Sequence, residues 1–185
     1  MNPQLLERAR LIRLLVLDVD GVLTDGRLYF GNAGEEFKSF CTLDGHGIKL
    51  LQKSGVKVAI ITGRRSELVA RRSRDLGVNL LVQGREDKWD ALQEILAEPG
   101  QFDPVPTPHE IAFMGDDWPD LTVMCRVGLA LTVPSAHAEV AARAHWQSQF
   151  AAGGGAVREA CDLIMKAQGT YPAALASYLP GEDWS

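Results

Sequence analysis

Asp18 and Asp20 stand two residues apart at the end of an apolar run, in the stretch LLVLDVDGVLTDG over 14–26. Leu14 to Leu17 read as a buried strand, and Gly21 opens a tight turn at its carboxyl end. Side chains alternate along a strand, so both aspartates leave on one side and Val19 on the other. Two carboxylates about 4 Å apart repel by about 4 kcal/mol at an effective dielectric of about 20. A divalent cation is the expected neutraliser, and oxygen-only ligands on a loop favour Mg²⁺, which keeps waters and shares its shell with a substrate phosphate. The alternative is a surface turn in which Asp, Gly and Thr are turn residues only.

The other strand ends bear on that choice. The apolar run VAII over 58–61 ends in Thr62-Gly63-Arg64, where a hydroxyl, free backbone N–H groups and a fork-shaped donor form a phosphate cradle. Thr62 or Ser66 read equally as a helix cap. Lys88 opens a helix after Gln83-Gly84-Arg85-Glu86-Asp87; a cation there opposes the helix dipole, so Lys88 is either an anion binder or a solvated residue. Gly115-Asp116-Asp117-Trp118-Pro119-Asp120 carries three carboxylates within five residues. Capping accounts for one; three, beside the Asp18–Asp20 pair, fit a cation.

Elements that would position these groups follow from the hydrophobic pattern. A helix at 4–13 leads into the strand at 14–17. Two segments, RLYF over 27–30 and EEFKSF over 35–40, flank the turn residues Gly31-Asn32-Ala33-Gly34 and predict a β-hairpin placed to act as a flap. Its aromatics Tyr29, Phe30, Phe37 and Phe40 imply either a subunit interface or packing on the parent domain. Helices at 47–54, 65–76, 87–97, 118–126 and 156–167 alternate with strands at 56–61, 78–82, 111–114 and 128–131. That alternation predicts an α/β fold, a doubly wound, Rossmann-like parallel sheet with ligands at the carboxyl ends of its strands. No second-domain linker is visible, so residues 1–185 read as a single domain with a tail over 169–185.

Composition narrows the class. With 185 residues, 46% hydrophobic and 23% charged, the chain is large enough to bury a core without metal or disulfide staples. A net charge of −5 gives no reason to expect nucleic acid or an anionic membrane as a partner. Cys41, Cys125 and Cys161 lack metal spacing and read as free thiols in a reducing compartment. The charged N-terminal stretch lacks the apolar core of a signal peptide, so a cytoplasmic location is expected. His46, His109, His137 and His145 are scattered and read as structural, although His46 lies where it could donate to a substrate hydroxyl.

The ordered set of DxD, Thr, Lys and GDD at successive strand ends resembles the haloacid dehalogenase-like superfamily of phosphotransferases. With DVDGVLTDG, IITGR, QGREDK, GDDWPDLTVM, AHAEV and GGGAVREACDLIMKAQG, the chain is similar to the 3-deoxy-D-manno-octulosonate 8-phosphate phosphatase family of lipopolysaccharide sugar synthesis. The resemblance covers nearly the whole chain. It implies no cap domain, Mg²⁺ as cofactor, a sugar phosphate as substrate, and a homotetramer with shared active sites. It further implies that Asp18 is the nucleophile and Asp20 the general acid and base, with Thr62 and Lys88 on the phosphoryl oxygens. Mg²⁺ would be held by Asp18, the backbone carbonyl of Asp20 and Asp116, with Asp117 and Asp120 in the outer shell. Asp20, Lys88, Cys41, Thr42, Leu43, Asp44, Gly45, Lys49, Arg64, Arg72 and Arg158 would contact substrate.

Arg72 lies about two helical turns after Arg64 on nearly the same face, so it points either to the mouth of the site or to solvent beside Arg71 and Arg74. The chain departs from the family pattern at Leu43, where many relatives carry a basic residue, and at Ala152, where a glycine is expected. Both departures leave a nine-carbon sugar acid phosphate open as an alternative substrate. Rival classes are a receiver-type phosphoacceptor, in which the acceptor lies on a middle strand, an inactive scaffold, from which intact Asp18 and Asp20 argue away, and a capped phosphomutase.

Overall fold

A computed structural model describes residues 2–32 and 36–179. The chain runs α1 (Pro3–Arg10), β1 (Leu14–Leu17), β2 (Tyr29–Phe30), β3 (Glu36–Phe37), α2 (Thr42–Lys53), β4 (Lys57–Thr62), α3 (Glu67–Leu76), β5 (Leu80–Gln83), α4 (Lys88–Ala97), β6 (Ile111–Met114), α5 (Trp118–Met124), β7 (Leu129–Thr132), α6 (Ala138–Ala141), β8 (Trp146–Gln147), α7 (Ala156–Ala167) and α8 (Tyr171–Ala176). Strand order is β5-β4-β1-β6-β7-β8, with every pairing parallel. The chain moves outward from β1 through β4 to β5 and then returns to β6 on the other side. Such a reversal opens a crevice at the carboxyl ends of β1 and β6, where ligands of doubly wound sheets bind.

β1 is buried throughout because helices cover both faces of the sheet. Leu15, Leu17, Val58, Ile60 and Leu131 face α1, α2 and α7; Leu14, Val16, Ala59, Ile61 and Phe113 face α4 and α5. The alternation of the pleat divides one apolar run between two cores. No helix among the described residues is long and apolar enough to cross a membrane.

The parallel strands and the helices between them stand where the hydrophobic pattern predicts. One boundary differs in a way that matters: α2 begins at Thr42, not at 47, so the stretch from Thr42 to Gly45 is the first turn of a helix rather than a loop. Gly45 and Gly47 disguise it, since glycine is a poor helix former. Their reason is contact. A Cβ on Gly47 would lie 3.0 Å from Cα of Arg158, so glycine lets α2 and α7 approach closely. The short elements β8, α6 and α8 have too few residues to declare a period and were not anticipated.

Between β1 and α2 the described chain carries the hairpin, paired Tyr29 to Phe37 and Phe30 to Glu36. The expected turn residues Ala33 and Gly34 lie outside the described residues, as does the tail over 180–185. The hairpin's aromatics divide. Phe40 packs against the core, whereas Phe30 and Phe37 are 70% and 61% exposed.

Candidate active site

Strand register fixes the site. Leu17 pairs with Met114 and Ile60, and the Asp18 N–H donates to Met114 O at 3.1 Å, so Asp18 is the first residue beyond the sheet edge. The chain then turns sharply: N–H groups of Leu23 and Thr24 both donate to Val19 O, at 2.9 and 3.0 Å. Gly21 adopts φ +91°, and a Cβ there would sit 2.1 Å from Asp116 Oδ2. Only glycine lets the two aspartate loops approach this closely. The second loop is held by Thr132, whose hydroxyl donates to Gly115 O at 2.7 Å, and by Asp120 Oδ2, which accepts the N–H groups of Asp116 at 2.9 Å and Asp117 at 3.1 Å.

Asp18, Asp116 and Asp120 each bring a carboxylate oxygen within 4.8 Å of the others. Lys88, buried at the start of α4, places Nζ 3.0 Å from Asp18 Oδ2 and 2.5 Å from Asp120 Oδ1. One ammonium against three carboxylates leaves the centre short of positive charge. Burial first, and the neighbouring Asp120 second, push both Asp18 and Asp116 up from 3.8 to about 7. For Lys88, burial acts to lower the pKa, yet the attraction of Asp18 and Asp120 prevails and holds it above the ordinary lysine value. Lys88 therefore stays charged.

A cation fits this donor set. Asp116 Oδ1 is buried and has no hydrogen-bond partner among the described residues, an arrangement that is costly without a ligand. The donors are hard oxygens, as Mg²⁺ requires, and no cysteine or histidine belongs to the cluster. Asp120 is already occupied by Lys88 and two backbone N–H groups, which suits an outer position; Asp117 spends Oδ1 on the Trp118 N–H at 2.8 Å.

Asp18, Asp20, Thr62, Arg64, Lys88 and Asp116 line one cleft of about 480 Å³. Asp20 Oδ2 lies 3.9 Å from Arg64 Nε, and its Oδ1 accepts from Lys38 Nζ. Sequence reasoning missed Lys38. The available signal was a lysine set between Phe37 and Phe40, and nothing in its spacing from Asp20 connects the two.

The remaining predicted substrate contacts lie outside this cleft. Cys41, Thr42, Leu43, Asp44, Gly45, Lys49, Arg72 and Arg158 do not line that cleft within one chain. Arg72 donates to Cys41 O at 3.1 Å and stacks over Phe40, its Cζ 5.7 Å from the ring centre, which answers the question of its direction: it faces the start of α2. Asp44 is turned inward, 1% exposed, with both oxygens accepting backbone N–H groups at the start of α7. Gly45 packs under α3, where a Cβ would lie 2.3 Å from Arg72 Nη2. Leu43 and Arg158 border a larger cleft of about 740 Å³ beside α7, in which Arg158 pairs with Asp162 at 2.8 Å. Glu159 there accepts from the Ser148 hydroxyl and the Gln149 N–H, and Lys166 Nζ lies 4.7 Å from the Tyr171 ring centre, so size does not identify the reactive centre.

Two smaller expectations resolve locally. Ala152 needs no glycine, because the left-handed positions of that segment fall at Gly153 and Gly155. Among the histidines, His137 Nδ1 accepts from Trp118 Nε1 at 3.0 Å and from the Glu139 N–H at 3.1 Å, His145 Nδ1 accepts the Ala130 N–H at 2.8 Å, and the His46 ring meets Tyr178 edge-on at 5.4 Å.

Comparison with known proteins gives a consistent picture. No family model matches the chain. It is 47% identical over 163 residues, 88% of its length and 84% of the relative's, to 3-deoxy-D-manno-octulosonate 8-phosphate phosphatase of Yersinia pestis. It is 44% identical over 169 residues, 91% of its length and 87% of the relative's, to the enzyme of that name from Escherichia coli K12. A crystal structure of the Moraxella catarrhalis 3-deoxy-D-manno-octulosonate 8-phosphate phosphatase, in complex with magnesium ion, phosphate ion and KDO, matches with TM-score 0.91 at 36% identity, covering 97% of this chain and all of that one.

Proposed function

The chain belongs to the 3-deoxy-D-manno-octulosonate 8-phosphate phosphatase family of the haloacid dehalogenase-like superfamily, and on that premise we propose that it hydrolyses this sugar phosphate to the free sugar acid and inorganic phosphate with Mg²⁺ as cofactor. The observation that carries the reading is the buried, partnerless Asp116 Oδ1 in the cluster it forms with Asp18 and Asp120. That arrangement calls for a cation beside a nucleophilic carboxylate.

In this mechanism Asp18 attacks phosphorus, forming an O–P bond as the bond to the sugar oxygen breaks. Asp20 gives its proton to the departing alkoxide. Asp20, now a base, takes a proton from water, which attacks the aspartyl phosphate and releases phosphate and the Asp18 carboxylate. Lys88 and Thr62 hold the phosphoryl oxygens, and Lys88 offsets repulsion between Asp18 and the incoming dianion. Asp18, the backbone carbonyl of Asp20 and Asp116 would hold the metal, with Asp117 and Asp120 outside, and when bound it neutralises charge on the phosphoryl group.

We further propose that the chain acts as a homotetramer with shared sites. Exposed Tyr29, Phe30 and Phe37 on the hairpin, and the placement of Cys41, Thr42, Leu43, Lys49 and Arg72 outside the chain's own cleft, support that assembly. Exposed Leu43 favours testing a nine-carbon acid phosphate as the competing substrate.

The test is phosphate release from 3-deoxy-D-manno-octulosonate 8-phosphate against a panel of sugar phosphates, with Mg²⁺ or EDTA, for wild type and Asp18→Asn. Preference for that substrate, abolished by EDTA and by the substitution, is expected. Metal-dependent turnover of another ester instead keeps the mechanism and replaces the substrate; no turnover of any ester rejects the enzyme reading.

A further inference from the structure

Asp20 is held from the hairpin side. Its Oδ1 accepts from Lys38 Nζ, while Oδ2 is the oxygen nearer Arg64, with Nε at 3.9 Å. Lys38 follows directly on β3, in an arm whose Tyr29, Phe30 and Phe37 are exposed, yet its own side chain is 1% exposed. A buried ammonium is stable only when it is paired, so this placement is specific rather than incidental. Lys88 pairs with Asp18 and Asp120 and leaves the orientation of Asp20 to other groups.

We propose that Lys38 is the positioning residue for Asp20, fixing one carboxylate oxygen so that the other is presented to the leaving group, and thereby coupling the hairpin's position to proton transfer. The inference rests on Asp20 acting as general acid. An acid must stand within hydrogen-bond reach of the leaving oxygen, about 2.6–3.2 Å between heavy atoms. A misplacement of about 1 Å costs roughly a hundredfold in rate. An aspartate side chain partly open to the cleft has rotamers that miss that position, and the Lys38 contact selects among them.

Leaving groups separate positioning of an acid from general damage. A sugar alkoxide needs a proton as it departs, whereas p-nitrophenolate does not. Lys38→Met, the linear apolar replacement suited to a buried side chain, is compared with wild type on 3-deoxy-D-manno-octulosonate 8-phosphate and on p-nitrophenyl phosphate at saturating Mg²⁺. The expected result is a fall in kcat/KM, which reports the steps up to departure of the leaving group and so leaves out the later base step common to both esters, of about tenfold or more for the sugar phosphate, with kcat/KM for p-nitrophenyl phosphate within about twofold. Lys38→Gln, which keeps a donor, is expected to recover part of the loss. Equal losses on both esters, or none on either, overturn the inference. Asp20→Asn is run in parallel: if it discriminates between the esters and neither Lys38 variant does, the general-acid reading stands and the positioning role falls. If Asp20→Asn does not discriminate, the acid assignment fails and takes this inference with it.

Discussion

Asp44 Oδ1 accepts the backbone N–H of Arg158 at 2.8 Å, joining the first turn of α2 to the first turn of α7 across 114 positions of sequence. Its Oδ2 accepts the Gly155 N–H at 3.3 Å, so one carboxylate satisfies two of the donors that a helix start leaves open. The same segment leans on the catalytic turn: Gly153 N–H donates to Val22 O at 3.0 Å, and a Cβ on Gly153 would lie 2.7 Å from the Thr24 carbonyl carbon. Asp44, the glycine segment and the Asp18–Asp20 turn form one packed unit.

Replacing Asp44 therefore tests structure rather than substrate recognition. Asp44→Ala leaves buried N–H groups unpaired at the start of α7, and a loss of about 1–3 kcal/mol is expected in urea unfolding. KM for the sugar phosphate is expected to stay near the wild-type value in the folded enzyme. An unchanged urea midpoint would show that the strap between α2 and α7 contributes nothing.

Lys88→Met removes the cation that lies between Asp18 and Asp120. Loss of a charged donor aimed at the phosphoryl group is expected to lower kcat by about 10²–10³, as for other preorganised electrostatic contacts. Single-turnover measurement of aspartyl phosphate formation locates the defect. A normal rate of that step would place Lys88 outside phosphoryl transfer.

Proton and metal compete for the same carboxylates. In metal-free protein Asp18 and Asp116 are raised from 3.8 to about 7, by burial first and Asp120 second. Between those values the folded chain keeps protons that the unfolded chain has released, so stability falls as pH rises from about 4 to about 7. In EDTA, thermal melting of Asp116→Asn is expected to decline less steeply over that range than wild type. Mg²⁺ at pH 7 and above is expected to raise the wild-type melting temperature, with about 2.7 kcal/mol gained at a hundredfold excess over Kd. Parallel pH profiles would remove the raised pKa of Asp116, and an equal Mg²⁺ shift in both proteins would falsify its assignment to the metal site.

Much of the centre was legible because its residues sit at fixed offsets from strands. Asp18 follows directly on β1 with Asp20 in the turn after it, and the parallel register of β1, β4 and β6 brings Thr62 and Asp116 to the same sheet edge. Helix starts carry Lys88 and Asp120, whose sequence positions already mark them as cap-region residues. Less was legible where a contact depends on how two segments pack. Gly45 and Gly47 have the chemistry of a loop, and only the close approach of α3 to Gly45 and of α7 to Gly47 shows why a helix tolerates them.

From its sequence alone the chain is determined to be a doubly wound α/β protein with a carboxylate-rich phosphotransfer centre, since periodicity and strand-end motifs are local properties of the chain. Tertiary structure decided which charges meet: Lys38 on Asp20, Arg72 on Cys41 rather than in the cleft, Asp44 under α7. These pairings join residues 18, 31 and 114 positions apart, and no local pattern encodes them. They exist because packed helices and a folded-back hairpin leave each buried charge one place in which it can be satisfied.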